Sequence, residues 1–319
     1  MNYIVFDLEW NQSSIPELEE KRMPIEIIEI GAVKLDSDFN LIDEYQSLVK
    51  PRLYKKIHSR VKEILTYDES ELRLHGRPFD VVCREFLKWC GKEEYRFCTW
   101  GSCDLFQLQR NMDYYYMKPL PYPLPYYDLQ EIYGSLTNQN TAISLEHAIR
   151  ELDIPIIEPF HCAVNDARYT AYVFQNISKK DLQDKYCIDY YRHPASKDEE
   201  VYSYHKTYSE YISRAFPTKQ SALDQKEINT LYCHKCKRKI NKKIKWFSNA
   251  QNSYICVGKC WTHGYVCGKI RFKTTNDDQY FVIKKSYPIH KSDIESIKNR
   301  QRELREKRRL RRVQKNAPI

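Results

Sequence analysis

Four carboxylates and one histidine stand in an order that suits phosphodiester chemistry. Asp7 and Glu9 lie in YIVFDLEWN, Asp104 in WGSCDLFQLQRN, and His161 and Asp166 in FHCAVNDARYTAYV. A fold that gathers four acids must offset their mutual repulsion, and divalent cations do so. Hard oxygen donors select Mg²⁺ or Mn²⁺. Two such ions a few ångströms apart are a recurrent device for cutting phosphodiesters. An imidazole nearby adds a group that exchanges protons near neutrality.

The elements that must carry these residues are legible around them. YIVF is a short apolar run and predicts a buried strand. Side chains alternate on a strand, so Asp7 and Glu9 point to one face and can share an ion. Asp166 opens a helical stretch, 166–176, with Ala167, Ala171 and Phe174 on one side. An acid in a first helical turn is also favoured by the helix dipole, so Asp166 taken alone reads equally as a helix-start residue. His161 falls in the loop entering that helix. Further strands are expected at 26–35, 43–49 and 96–100, and helices around 59–66, 79–89, 105–114 and 144–151. Asp128, after the Pro-rich KPLPYPLPYY, is expected to cap a helix and to have no catalytic part. Strands followed by alternating strands and helices predict an α/β layer fold.

The ordered motifs resemble the DEDDh branch of the DEDD exonucleases, which includes polymerase proofreading subunits, oligoribonuclease, ribonuclease T and the small-RNA-trimming exonucleases. Asp7-Leu8-Glu9 matches the first motif, and Ile27–Val33 the companion strand. Gly101 to Asp104, with Leu108 and Asn111, matches the second, and His161-x-Ala163-x-x-Asp166 the third. The other branch has Tyr where this chain has Cys162. ISLEHAIRELDIP is similar to the helix before the third motif. Trp10-Asn11 departs from the commoner Thr-Thr or Thr-Gly. The resemblance covers roughly residues 1–180. It implies a ribonuclease H-like mixed sheet flanked by helices, with the first strand central. It implies two Mg²⁺ or Mn²⁺ held by Asp7, Glu9, Asp104 and Asp166, with Asp7 bridging them, and His161 as general base. It also implies that Leu8 and the backbone around Trp10 abut the terminal nucleotide, where Trp10 could stack. The expected activity is 3′→5′ hydrolysis of single-stranded ends to nucleoside 5′-monophosphates, with RNA favoured over DNA.

A second chemistry lies near the C-terminus. Cys233-x2-Cys236 is followed by Cys256, then Cys260-x2-His263-Gly264 and Cys267. Four tetrahedral ligands suit Zn²⁺. The matched two-residue spacings favour Cys233, Cys236, Cys260 and His263, with Cys256 and Cys267 competing. Residues 229–290 thus read as a zinc-ribbon-like β module, built on a hairpin within KIKWFSNAQNSYICVGKC and strands at GKIRFK and YFVIKK. Residues 181–228 read as a helical or irregular extension and linker, and 291–319 as a basic helix or disordered tail with almost no apolar face.

Charge is divided between these regions. From 229 onward there are 24 Lys and Arg against 6 Asp and Glu, a net of +18; the whole chain is +9, which leaves −9 for residues 1–228. A basic appendage on an acidic domain predicts attraction to single-stranded nucleic acid, or a protein partner. Trp246, Phe247, Tyr254 and Trp261 among the lysines would suit stacking on bases, or else form the ribbon's core. No apolar run spans a bilayer and the start lacks a leader pattern, which predicts a cytoplasmic protein without membrane contact. The rival class is a catalytically idle nuclease fold that binds nucleic acid through the ribbon and tail.

Overall fold

Alternation along the first apolar run decides the architecture of the N-terminal half. The computed structural model describes residues 1–65, 67–137, 142–183, 185–250, 252–275 and 277–315, with backbone alone over 311–315. The chain divides into two compact units, Met1–Arg192 and His193–Ile319.

The first unit holds a six-stranded sheet of β1 (Asn2–Gln12), β2 (Ile25–Leu35), β3 (Leu41–Leu48), β4 (Tyr95–Thr99), β5 (Pro125–Asp128) and β6 (Cys187–Ile188), in the order β3-β2-β1-β4-β5-β6. β4 and β5 run parallel to β1 while β2, β3 and β6 pair antiparallel, giving a mixed sheet with β1 inside it. Its helices are α1 (Ser59–Lys62), α2 (Glu69–His75), α3 (Phe79–Cys90), α4 (Cys103–Tyr114), α5 (Leu129–Leu136), α6 (Leu145–Glu151), α7 (Ala163–Gln175) and α8 (Lys179–Leu182).

Ile4, Phe6 and Leu8 face α3 and α4, packing with Phe86, Phe97, Leu105 and Leu108. Val5 faces the other way, with Ala167, Ala171 and Phe174 of α7. The odd-numbered row of β1 therefore continues through Asp7 and Glu9 toward the start of α7, which explains how a period-two pattern delivers both acids to one helix. Asp128 caps α5 by accepting the Glu131 N–H at 2.9 Å. The helix expected at 59–66 stops at Lys62, with residue 66 outside the described residues.

The second unit contains β7 (Val201–Tyr204), β8 (Ser209–Ile212), α9 (Lys219–Leu223), α10 (Lys226–Asn229), β9 (Leu231–Tyr232), β10 (Lys239–Ile240), β11 (Lys242–Ala250), β12 (Ser253–Cys260), β13 (Gly264–Thr274), β14 (Tyr280–Pro288) and α11 (Lys291–Lys315). Its main sheet is antiparallel in the order β11-β12-β13-β14-β8-β7, with β9 and β10 forming a separate pair. The hairpin expected before Cys260 is β11–β12.

Two expectations are corrected here. The segment 181–228 is not a linker: it supplies β6 to the first sheet and β7 and β8 to the second, because Tyr211 and Ile212 are buried in pairing with β14. The basic C-terminal helix does have an apolar edge. Ile294, Ile297 and Leu304 pack on Ile244, Phe247, Ile255 and Val257, since residues three and ten apart share a helical face. Most of the aromatics offered for stacking are core as well. Trp246 packs inward and donates Nε1–H to the Asn229 carbonyl at 2.7 Å. Phe247 is buried, and Tyr254 lies edge-on to Phe272. Trp261 alone of the four is wholly exposed, at 100%.

Candidate active site and metal centre

The site in the first unit assembles where β1, α4 and α7 converge. One donor atom each from Glu9, His161 and Asp166 lie within 4.8 Å of one another. Asp166 sits in the first turn of α7 and accepts the His161 backbone N–H at 3.0 Å. That bond holds the turn in which His161 adopts φ +64°, a left-handed conformation uncommon outside glycine. His161 is exposed while Glu9, Asp104 and Asp166 are buried.

Asp7 and Asp104 join through electrostatics. Burial raises the Asp7 pKa well above the usual carboxylate range, and Asp104, Asp166, Glu9 and Glu29 raise it further. Burial, then Asp166, Glu29 and Asp104, pushes Glu9 up to about 8. Burial pushes Asp104 up to about 7 against hydrogen bonds from its own and Leu8's backbone, with Asp128 and Asp166 adding to the rise. Asp166 rises to about 6 through burial and Glu29, restrained by the His161 amide. Burial and neighbouring acids thus raise the pKa of all four carboxyls named from sequence. Such a cluster is costly unless a positive charge enters it.

The donors fit a divalent cation. Asp166 Oδ1 is buried with no hydrogen-bond partner among the described residues, while Oδ2 takes the His161 amide. An acceptor left free inside a ring of acids suits a divalent cation, whose preferred ligands are carboxylate oxygens.

A fifth acid was missed from sequence. Glu29 is fully buried on β2, directly opposite Glu9. Its carboxylate accepts the Ala163 N–H at 3.1 Å and the Gln46 amide at 2.8 Å. Cys162 offers α7 no side-chain cap, so Glu29 caps that helix from the neighbouring strand. Gly31, two residues on, lets α7 lie against β2: a Cβ there would fall 2.0 Å from the Val164 nitrogen. The signal available was a pair of acids, Glu26 and Glu29, inside the otherwise apolar IEIIEIGAV.

The two substrate-contact candidates part company. Leu8 is 3% exposed and its side chain is core, because even-numbered residues of β1 face α3 and α4; only its backbone remains for a ligand. Trp10 is half-buried against the same core. It follows a register shift in the β1–β2 ladder, where Glu9 pairs Glu29 but Trp10 pairs Ile27. Bulges of this kind re-aim side chains beside active sites.

The family model for the ribonuclease T type of exonuclease matches residues 4–174, a stretch that includes all five motif residues. The chain belongs to this exonuclease family. No curated protein matches it. Solved structures of similar fold include the nuclease domain of 3′hExo, a DEDDh family member bound to rAMP, at 18% identity and TM-score 0.48, covering 55% of this chain and 90% of that one. Cell-death related nuclease 4 has 18% identity and TM-score 0.48, covering 62% and 73%. E. coli exonuclease I in complex with a dT13 oligonucleotide has 12% identity and TM-score 0.45, covering 56% and 41%.

The exonuclease match ends before the second unit, whose candidate metal centre stands on its own geometry. Cys233, Cys236, Cys260 and His263 bring one donor atom each within 4.8 Å of the others. Cys236 and Cys260 sulfurs are 3.7 Å apart, and His263 Nδ1 is 3.5 Å from Cys233 and 3.7 Å from Cys260. A tetrahedron with Zn–S near 2.3 Å has edges of about 3.8 Å, so the donors fit Zn²⁺. The two pairs sit on the β9–β10 and β12–β13 turns, which close through Lys237 at φ +58° and Gly264 at φ +77°. Cys260 is pulled down to about 5, first by the Thr262 hydroxyl and then by His263 and the turn amides. Cys256 and Cys267 lie outside the cluster; burial pushes Cys256 up to about 12 and raises Cys267. Among the described residues no helix is long and apolar enough to cross a membrane.

Proposed function

We propose that the first unit is a divalent-metal-dependent 3′→5′ exonuclease that acts on single-stranded ends, RNA ahead of DNA, and releases nucleoside 5′-monophosphates. The observation that carries this is the convergence of Glu9, His161 and Asp166 donors within 4.8 Å, with Asp7 and Asp104 in the same field of charge. Asp7, Glu9 and Asp166 would hold one Mg²⁺ or Mn²⁺, and Asp7 with Asp104 a second. When bound, the pair supplies positive charge to the attacking and leaving oxygens. His161, exposed beside the acids, takes the proton of the attacking water as general base. Asp166 positions that histidine by accepting its backbone amide. Trp10 and the Leu8 backbone meet the terminal nucleotide. The preference for RNA rests on the motif resemblance to the small-RNA-trimming members.

The second unit would hold one Zn²⁺ and bind single-stranded nucleic acid, supported by its charge of +18 over 229–319 and by the exposed Trp261. These same features favour the alternative that the chain binds nucleic acid without cutting it. End-labelled RNA and DNA of equal sequence, incubated side by side with Mg²⁺, Mn²⁺ or EDTA, separate the two. Stepwise shortening from the 3′ end that EDTA abolishes supports the exonuclease; intact label with every metal supports binding alone.

A further inference from the structure

The segment after β3 is the most basic stretch of the acidic unit. Lys50–Lys62 contains Lys50, Arg52, Lys55, Lys56, Arg60 and Lys62 and no acid. A solvated loop of this composition would ordinarily be left free, yet this one is held by buried polar side chains. Asn11, 0% exposed, donates to the Tyr54 carbonyl at 2.8 Å and the Lys56 carbonyl at 3.0 Å, and accepts the His58 N–H at 2.9 Å. Its cross-strand partner Glu26, 1% exposed, accepts the amides of Arg52 at 2.6 Å, Leu53 at 3.1 Å and Tyr54 at 2.8 Å. Glu69 accepts the Ile57 amide at 3.1 Å. Tyr54 and Ile57 turn inward, while Arg52, Lys55, Lys56, Arg60 and Lys62 point to solvent. The amides of Arg52, Leu53, Tyr54, Ile57 and His58 are spent on the scaffold, and what this segment offers a ligand is a row of cations on a fixed frame.

Its place in the fold says what they are for. Asn11 lies two residues beyond Glu9 on β1, roughly 7 Å along the strand. The middle of the segment, at Tyr54, Lys56 and His58, is therefore pinned to the strand that carries Asp7 and Glu9. A polyanion approaching four carboxylates is repelled by them, and cations beside the entry offset this.

We propose that Lys50–Lys62 is a rigid phosphate-binding lip, which engages the phosphodiester backbone of a single-stranded nucleic acid a few nucleotides from the bond to be cut. The proposal rests on the exonuclease reading of the adjacent site. Fixing the loop in advance lowers the ordering cost of binding, and a contact made to phosphates is indifferent to base sequence.

The test compares full-length wild type with Lys55→Ala/Lys56→Ala/Arg60→Ala and with a charge-matched control, Lys92→Ala/Lys118→Ala/Lys180→Ala, drawn from exposed lysines elsewhere in the unit. Each protein is assayed on a single-stranded hexanucleotide and on the 4-nitrophenyl ester of thymidine 5′-monophosphate, which has one phosphodiester and no upstream phosphates. Hexanucleotide affinity is read separately by fluorescence anisotropy in Ca²⁺ across a salt series. The lip variant should raise KM for the hexanucleotide about tenfold with kcat held within twofold. Its ratio of hexanucleotide to ester kcat/KM should fall by a similar factor, and its salt slope should be shallower by about 2, near 0.7 per lost phosphate contact. The control should match wild type. Equal slopes for lip variant and wild type, or equal losses in lip and control variants, would overturn the lip. If wild type cleaves neither substrate, the exonuclease reading falls, and the anisotropy titration alone decides the lip.

Discussion

The two candidate metal sites are built in opposite ways. The acids are gathered from positions 7 to 166 by a sheet and two helices that have their own cores on both faces. They are hard oxygen donors, buried together, and their raised pKa values reflect burial first and then repulsion, both of which the surrounding fold withstands. The thiolate and imidazole donors lie between positions 233 and 263 on two tight turns, around a small cluster of Leu231, Ile240, Cys256 and Val266. In the first unit the fold holds the site together against its own charge. In the second, the metal would hold the β9–β10 hairpin to the sheet. A cation should therefore be dispensable for folding at the acid site and required locally at the cysteine site.

The strongest way to break this contrast is to remove an acid. Asp7→Ala or Asp166→Ala should take hydrolysis below detection and leave the circular dichroism spectrum unchanged, with metal-free stability equal or higher because repulsion is relieved. Substantial residual activity would remove the assignment of these acids to the ions. His161→Ala should slow turnover by about 10²–10⁴-fold while Mn²⁺ binding, followed by electron paramagnetic resonance, persists. Loss of Mn²⁺ binding would make the imidazole a ligand instead.

Cys233→Ala sharpens the other half. Protein purified without chelator should contain one zinc, and the variant none. The sheet retains the core of Tyr211, Phe216, Ile228, Ile270, Phe272 and Val282, so the lesion should stay local. Hydrogen exchange should show lost protection at β9, β10 and the 260–263 turn, and little change in β13 or in the first unit. Loss of protection throughout the second unit would show that zinc, rather than the sheet, carries its stability.

A smaller effect separates the sites by pH. Glu9, Asp104 and Asp166 have folded pKa values near 8, 7 and 6, above those of an unfolded chain. The folded state then binds more protons than the unfolded state over this range, so metal-free stability should fall as pH rises from about 4 to 8. Mg²⁺ competes with those protons, and its stabilising effect should grow by several degrees in melting temperature between pH 5.5 and pH 8. An equal Mg²⁺ effect at both pH values would place the ion elsewhere. The smallest expected change is at Trp261, where alanine should weaken single-strand binding by about 1 kcal/mol without altering zinc content or kcat. Unchanged affinity would leave that exposed ring without a nucleic-acid role.

Local chemistry made much of this legible in the chain. The period of two in YIVFDLE placed Asp7 and Glu9 together, and the spacing of the cysteines singled out the four donors that do converge. The capping box of α2, with Asp68 and Glu71 satisfying each other's amides, was also legible in principle, since DESE is its signature, yet no helix was expected there. Other features depend on partners far away in sequence. Glu29 reads as a misplaced charge until α7 arrives to be capped, and Asn11 as a departure from a motif until the loop at 54–58 closes on it. Ile294, Ile297 and Leu304 look too sparse for a helix face until β11 offers them a surface. The sequence by itself determined which residues can ligate, alternate and cap, because those properties reside in side-chain type and spacing over a few residues. The tertiary structure alone decided which buried polar groups are satisfied and which weak apolar edges find cover, because both depend on what the folded chain brings opposite them.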